Sequence, residues 1–373
     1  IRDRYSGFFL ASLVTPIQSL AAGSNFIPLG ISFYTFTQIA FLIDCWRGDS
    51  TRGSFSSYLL FVTFFPHLIA GPILHHKEMI PQFENSELVH SKLYKDIAIG
   101  LTILSIGLAK KVLIADNLAP LVQPMFDAAG DGVPITFFEA WMGTLCYALQ
   151  LYFDFSGYSD MAVGVSRIFG IQIPVNFMSP YKSTSISEFW SRWHITLSRF
   201  LKAYLYIPLG GNRGSSFATY RNLLITMILG GVWHGAGWTF VLWGALHGVF
   251  LCTHKLWRAI SHKWLSDWCF PSLVGWLVTF LAVTLAWVPF RAATLDAAVV
   301  IWSSMLGANG ITLPASFANS VFQSLFGGYV AFTGMFPNQL GSWSVGTLTL
   351  IAGALVMALA LPNTAQIVCS TSR

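Results

Sequence analysis

His234 is the residue best placed for chemistry. It lies near the midpoint of Leu223–Leu246, an apolar stretch that contains no Asp, Glu, Lys or Arg. An ionisable side chain at such a depth is costly and by default marks a functional site. Imidazole has an unperturbed pKa of about 6.5 and can remove a proton from a hydroxyl near neutral pH. The sequence therefore predicts a general base; the alternative is a structural histidine that bridges two helices.

His194 lies in a second segment, Glu188–Tyr206, whose pattern predicts one amphipathic helix. Ser185 or Ser187 can cap its start, and Pro208 with the following glycines ends it. His194 falls on the apolar side, which is typical either of a packing histidine or of one that lines a reaction channel. The apolar stripe comprises Trp190, Trp193, Leu197, Leu201 and Tyr204, and the opposite arc comprises Glu188, Arg192, Arg199 and Lys202.

Basic residues collect around this segment, and a second basic group follows near Lys255. Short basic segments beside spans are typically cytoplasmic. One interpretation is that these residues only fix the orientation of the chain in the membrane. The functional alternative is that they attract a phosphate-bearing donor such as coenzyme A. On the functional interpretation the donor-binding residues are Arg192, Arg199, Lys202 and Arg213.

Other polar and aromatic residues near these segments are assigned to substrate binding. In Asp154–Asp160 a serine cap and a turn at Gly157 predict that one helix ends and another begins, while the Asp154 carboxylate can alternatively orient a histidine or hold a polar ligand. Asn212 lies in a glycine turn that can contact phosphate but lacks P-loop spacing. The predicted substrate-binding residues are Asp154, Trp193, Trp233 and Asn212.

The elements that must position these residues are membrane helices. Of 373 residues, 54% are hydrophobic and 10% are charged, with a mean hydropathy of +0.60, whereas soluble domains carry about 25% charged residues. Spans of about 20 apolar residues recur, and the sequence predicts an all-α, polytopic protein with roughly nine to eleven passes, some short or re-entrant. The clearest spans are Phe26–Ile43, Tyr58–Leu74, Ile97–Ala115, Ile135–Phe153, Leu223–Leu246, Leu273–Val288 and Val345–Leu361, with weaker ones at Phe8–Ala22, Tyr158–Ile173, Phe240–Thr253 and Ile311–Phe336.

The chain is expected to form a single domain over residues 1–373, and its start without Met predicts that earlier N-terminal spans are missing. Several site classes lack a signature. The five cysteines form no CxxC pair, and no HExxH or GxSxG occurs. His67, His75 and His76 would need further partners to bind a metal, so no metal is predicted. A net charge of +5 is too dispersed for a nucleic-acid surface.

Several motifs, in one order from Ile27 to Val368, make the chain resemble the membrane-bound O-acyltransferase (MBOAT) family, and within it the alginate O-acetyltransferase membrane subunits and their peptidoglycan and cellulose relatives. Ala203 departs from the pattern, because relatives often carry an acid there. The motifs are Pro28–Phe36, Gly71–Pro72, Gly107–Lys111, Ala115–Asn117, Asp154–Asp160, Glu188–His194, Tyr204–Gly211, Gly230–Gly235 and Leu361–Thr364.

The resemblance implies a ring of helices around a central tunnel, with a cytoplasmic funnel for the acyl donor and an outer cavity for the acceptor. It also implies that His234 matches the catalytic histidine of the family and His194 its second characteristic histidine. The donor would be acetyl-CoA, without a metal. Relatives pass the acetyl group to an extracytoplasmic partner protein that modifies a polysaccharide.

These observations predict a lipid-embedded, multi-pass O-acetyltransferase of the bacterial inner membrane. Its predicted acceptor is an alginate-like exopolysaccharide or a cell-wall glycan. Two alternatives stay open. One is a non-catalytic transporter or export subunit in which His234 relays protons. The other is an MBOAT enzyme that acts on a lipid or protein acceptor.

Overall fold

A computed structural model describes residues 31–49, 54–84, 93–264, 271–312, 330–331 and 345–371 of the chain. The described residues are helical apart from turns and one parallel pair of two-residue strands, β1 and β2, so the all-α prediction holds in its main feature. The helices are α1 Ile31–Trp46, α2 Phe55–Thr63, α3 His76–Glu84, α4 Leu93–Ala109, α5 Asp116–Gly130, α6 Phe137–Ile168, α7 Ile186–Arg192, α8 Ile195–Leu201, α9 Ser216–His234, α10 Trp238–Trp264, α11 Ser272–Arg291, α12 Leu295–Met305, α13 Val345–Leu359 and α14 Thr364–Thr371, and the strands are Ile311–Thr312 and Val330–Ala331.

Two helical stretches are long and apolar enough to cross a membrane, judged by length and composition over the described residues. They are Leu93–Gly130, in which α4 and α5 are joined by a π-helical turn at Lys110–Ala115, and α11. Shorter apolar helices are α12 and Gly346–Leu359. The predicted number of passes stays a prediction. The predicted segment Phe8–Ala22 and most of Ile311–Phe336 lie outside the described residues.

The predicted span Tyr58–Leu74 is wrong as a single helix. Helix α2 ends at Thr63, and a 3₁₀ turn with Pro66 follows at Phe65–His67. Proline lacks the N–H group that a continuing helix needs. The segment therefore turns back toward α3 instead of crossing as one rod.

The predicted helix boundary at Asp154–Asp160 is also wrong, because α6 runs without a break from Phe137 to Ile168. Its glycines serve close packing against α4 instead of a turn. A Cβ at Gly157 would lie 2.8 Å from the carbonyl oxygen of Gly107, and one at Gly107 would lie 2.6 Å from that of Gly157. Small residues of this kind let two helix backbones approach closely, as is common between membrane helices.

Glu188–Tyr206 is not the single helix that its periodicity predicts. Ser185 caps α7 by accepting a hydrogen bond from the Glu188 N–H, which confirms the predicted start. The helix breaks at His194, whose φ of 43° lies in the left-handed region. Helix α8 then begins at Ile195 and passes into a π-helical turn, Lys202–Tyr206. The residues of the predicted apolar stripe are nevertheless buried or half-buried.

Leu223–Leu246 is likewise divided, so its interpretation as one span is wrong. Helix α9 ends at His234, Gly235 is extended, and α10 begins at Trp238 and packs against α9. A Cβ at Gly231 would lie 2.2 Å from the Phe240 carbonyl oxygen, and one at Gly244 would lie 2.4 Å from that of Met227. The contacts run in opposite directions along the two helices, so α9 and α10 form an antiparallel hairpin, with His234 at its turn.

The segment between α13 and α14 is tied to the middle of the chain. Asn363 Nδ2 donates to Ser179 Oγ at 3.0 Å, and Lys182 Nζ donates to the Leu361 carbonyl oxygen at 2.6 Å. Ser179 and Lys182 belong to the loop that leads from α6 to α7. This loop is therefore held in place by residues almost two hundred positions later in the sequence.

Candidate active site

His234 lies half-buried at the turn of the α9–α10 hairpin, among aromatic rings. Its ring centroid is 4.6 Å from that of Trp233, 5.0 Å from that of Trp243 and 5.0 Å from that of Phe290. The break after α9 brings Trp243 back against the histidine, which a continuous helix would not do. His234 is also within electrostatic range of His194 and His247.

His194 is buried, with 1% of its surface exposed, and its ring is oriented by Asn176. The Asn176 Oδ1 atom accepts hydrogen bonds from the Thr196 N–H at 3.1 Å and the Thr196 hydroxyl at 2.9 Å. It also lies 3.2 Å from His194 Nδ1. Because Oδ1 can only accept, Nδ1 must carry the proton, and Nε2 is the acceptor of the neutral ring. The left-handed backbone at His194 permits this arrangement.

His247 is the third histidine of this region, and it was not among the predicted site residues. It is 0% exposed, and its Nδ1 accepts a hydrogen bond of 3.2 Å from the indole N–H of Trp190. The proton of a neutral His247 is therefore on Nε2, the opposite tautomer to that of His194. Trp243 lies 4.9 Å from His247 and 5.0 Å from His234, so one indole separates the two rings. His254 instead pairs with Ser187.

A cavity of about 310 Å³ adjoins this region. Thr196 and Phe200 form part of its wall. Thr196 shares the Asn176 oxygen with His194, and Phe200 packs on Phe36, which stacks on Trp233 at 4.7 Å. The wall of the cavity is thus connected by direct contacts to both His194 and the neighbour of His234.

The four predicted donor-binding cations do not form one patch of uncommitted charge. Arg192 is paired with Glu188 one helical turn earlier at 2.6 Å, and Arg199 is paired with Glu78 of α3. Arg199 lines the cavity, while Lys202 and Arg213 are exposed. Of the four, Arg199 has the clearest connection to the histidine region.

The predicted substrate-binding residues are dispersed. Trp233 lies beside His234. Trp193 is buried in the aromatic core, 5.0 Å from Trp287 and 5.1 Å from Phe177. The Asp154 carboxylate pairs with Lys111 at 2.8 Å. Asn212 is exposed and accepts a hydrogen bond from the Tyr206 hydroxyl. Of this set, Trp233 is in aromatic contact with the His234 ring, and all four assignments stay predictions.

A second histidine group, of which His75 lines the cavity, was missed because its carboxylate comes from α1. The Asp44 Oδ2 atom lies 3.2 Å from His75 Nε2 and 3.8 Å from His76 Nε2. Burial, and then its neighbour His75, lowers the pKa of His76 to about 4, and burial also lowers the pKa of His75. Both rings are therefore neutral at neutral pH. His67 is buried elsewhere, against Phe64.

Comparison with known proteins gives this arrangement its context. The family model of MBOAT, the membrane-bound O-acyltransferase family, matches residues 31–290. The chain is 45% identical over 341 residues, 83% of its length, to the peptidoglycan O-acetyltransferase of Helicobacter pylori. It is 46% identical over 292 residues, 77% of its length, to the probable alginate O-acetylase AlgI of Azotobacter vinelandii. The chain belongs to the membrane-bound O-acyltransferase family, as its motifs indicated.

The relatives are longer than this chain, which covers 63% of the Helicobacter protein and 55% of the Azotobacter protein. A more distant relative, the teichoic acid D-alanyltransferase of Streptococcus thermophilus, is 27% identical over 241 residues, 61% of this chain and 57% of its own length. The family and these bacterial relatives identify the chain as a bacterial membrane protein.

Proposed function

We propose that this chain is a multi-pass protein of the inner membrane and the membrane subunit of an O-acetyltransferase. The enzyme moves an acetyl group from cytoplasmic acetyl-CoA to a hydroxyl acceptor on the opposite side of the membrane. The single observation that carries the proposal is the grouping of His234, His194 and His247 around a shared set of aromatic rings, with Asn176 and Trp233 linking His194 and His234 to residues that line a cavity. Family membership and the names of the Helicobacter and Azotobacter relatives support the reaction class.

In the proposed reaction His234 is the general base. Its imidazole takes the hydroxyl proton while the acceptor oxygen attacks the thioester carbonyl. The new C–O bond forms, the C–S bond breaks, and the imidazolium returns its proton to the leaving thiolate of CoA. A base in this position contributes about 10²–10⁴ in rate.

His194 and His247 carry their protons on different ring nitrogens, and this difference suits them to different roles. His194 Nε2 is an acceptor and is suited to holding the acceptor molecule through a hydrogen-bond donor other than the reacting hydroxyl, because Asn176 fixes the proton on the other nitrogen. His247 Nε2 is a donor and is suited to steadying His234 or the developing negative charge. Polarisation of the thioester carbonyl by His194 would need a donor at Nε2 and fits this tautomer less well.

The donor would enter along the cavity beside Arg199, with Lys202 and Arg213 attracting its phosphates from the exposed surface. The acceptor pathway is that of an exopolysaccharide or a cell-wall glycan, reached through a partner protein on the outer side. The 45–46% identity to relatives named for peptidoglycan and alginate favours a glycan acceptor over a lipid or protein one.

The test is transfer of labelled acetyl from acetyl-CoA in vesicles that contain the full chain, its partner protein and candidate glycans. His234→Ala should lower transfer by about 10²–10⁴-fold while its elution profile and melting temperature in detergent stay those of the parent. His254→Ala, a histidine on the same hairpin that pairs with Ser187, is the matched control and should retain transfer.

Full turnover by His234→Ala would remove His234 from the chemistry. Supplying acetyl-CoA or an acetylated carrier protein to the same vesicles identifies the donor. A transporter would consume neither thioester, with or without acceptor, so thioester hydrolysis by the purified parent separates an enzyme from an export subunit.

A further inference from the structure

The cluster around Asp44 is chemically distinct from the proposed active site. It draws Asp44 from the end of α1, His75 and His76 from the start of α3, and Tyr204 from the π-helical turn after α8. The Tyr204 hydroxyl lies 2.7 Å from His75 Nε2 and 3.1 Å from Asp44 Oδ2. Four polar side chains from three segments thus meet at one point.

The ligand atoms have the spacing of a metal site. One atom each from Asp44, His75 and His76 can be chosen so that all lie within 4.8 Å of one another. In a tetrahedral zinc site with bonds of about 2.0–2.1 Å, neighbouring ligand atoms are separated by roughly 3.3 Å. The separations of Asp44 Oδ2 from the two Nε2 atoms, 3.2 and 3.8 Å, bracket that value.

His76 supplies an independent observation. Its side chain is 0% exposed, and neither ring nitrogen has a hydrogen-bond partner among the described residues. A buried polar group left without a partner costs about 1–3 kcal/mol, and such a group in a folded protein needs an explanation such as an ion. The His76 ring packs edge-to-face with Phe41 and stacks on His75. These two contacts fix the ring so that Nε2 faces Asp44.

We propose that Asp44, His75 and His76 bind one divalent transition-metal ion, with Zn²⁺ as the class that two imidazoles and a carboxylate favour. The fourth position faces Tyr204 and is taken by water or by the tyrosine oxygen. The ion joins α1, α3 and the π-helical turn at the edge of the cavity, which His75, Lys77 and Tyr204 line. Its role is to fix this wall.

Lys77 is the competing cation. Its ammonium lies 3.3 Å from Asp44 Oδ2, but the side chain is 42% exposed and is therefore able to move into water. The metal proposal and a plain ion-pair network make opposite predictions for this residue. A metal site should keep or increase its affinity when Lys77 is made neutral, because a like charge is removed from the ion, whereas an ion-pair network should lose stability.

The experiment measures metal in the full chain, purified in detergent without a histidine tag. Elemental analysis should find about one zinc per chain in the parent, in Lys77→Gln and in the control His254→Ala. His76→Ala and Asp44→Asn should retain less than about a tenth of it. Chelation should lower the melting temperature of the parent and leave that of His76→Ala unchanged.

Cobalt titration provides a second measurement if a variant folds poorly. Stripped parent should bind Co²⁺ at one site with the visible absorption of a tetrahedral ion, and zinc should displace it. A parent that contains no stoichiometric divalent metal and shows no cobalt spectrum would overturn the proposal, as would full metal content in His76→Ala. Either result would leave the proposed acetyl transfer by His234 untouched, because no ligand of the ion takes part in that reaction.

Discussion

Two groups of histidines, one with His234 and His247 and the other with His75 and His76, have different surroundings. His234 and His247 are surrounded by indole and phenyl rings, with Trp243 between them. His75 and His76 instead point both Nε2 atoms at a single carboxylate oxygen. The proposed roles differ accordingly, with proton transfer at His234 and binding of a cation at His75 and His76. The partner of each ring nitrogen decides between these uses.

The largest effect should follow from disrupting the hairpin that carries His234. Gly231→Val places side-chain atoms where a Cβ alone would already lie 2.2 Å from the Phe240 carbonyl oxygen. We expect a loss of at least about 1–3 kcal/mol of stability and of acetyl transfer, while zinc content persists in the fraction that stays folded. Gly353→Val is the matched control, because nothing lies within 4 Å of a Cβ there. Equal melting temperatures for the two variants would contradict the close approach of α9 and α10.

A smaller effect should follow from removing the group that orients His194. Asn176→Ala deletes the oxygen that contacts His194 Nδ1 and both donors of Thr196. We expect stability to fall by about 1–3 kcal/mol and transfer to fall by about tenfold or more at saturating substrate. Asn117→Ala, at an exposed asparagine of α5, should change neither. If Asn176→Ala lost stability but kept its full turnover number, the orienting role assigned to Asn176 would be wrong.

The smallest effect should come from the indole that sets the tautomer of His247. Trp190→Phe keeps most of the packing and removes one hydrogen bond, a change of about 1 kcal/mol. Transfer should fall several-fold, roughly in line with that energy. Trp302→Phe removes a comparable bond to the Leu285 carbonyl oxygen, away from the histidines, and should affect stability only. Identical turnover in the two variants would show that His247 is a packing residue.

The features that the sequence predicted are those with a local signal. His234 stands out because no other ionisable residue accompanies it in its apolar stretch. Ser185 is a recognisable cap because serine accepts from the backbone three residues on. The predicted span Leu273–Val288 lies within the helix Ser272–Arg291, because a long apolar run has few alternatives to a helix.

The features that were missed depend on contacts between distant segments. His247 is bonded to Trp190, 57 residues earlier, and Asp44 meets His75 from another helix. Gly157 suggested a turn, yet the same lack of a side chain serves close packing against Gly107. The left-handed backbone at His194 carries no glycine or asparagine to announce it. In each case tertiary contacts override the local preference.

The hydrogen bonds from Leu361 and Asn363 to the loop before α7 limit where the chain can be shortened or joined to another protein. The family match ends at residue 290, yet the loop that carries Asn176, the partner of His194, is held by the Asn363 side chain and the Leu361 carbonyl oxygen, both beyond that point. Substitutions at Leu361 and Asn363 are therefore expected to affect the position of Asn176 and, through it, of His194. A shortened or chimeric protein whose C-terminal segment is replaced must therefore keep the contacts made by Leu361 and Asn363. Without them we expect the orientation of the His194 ring to become less well defined.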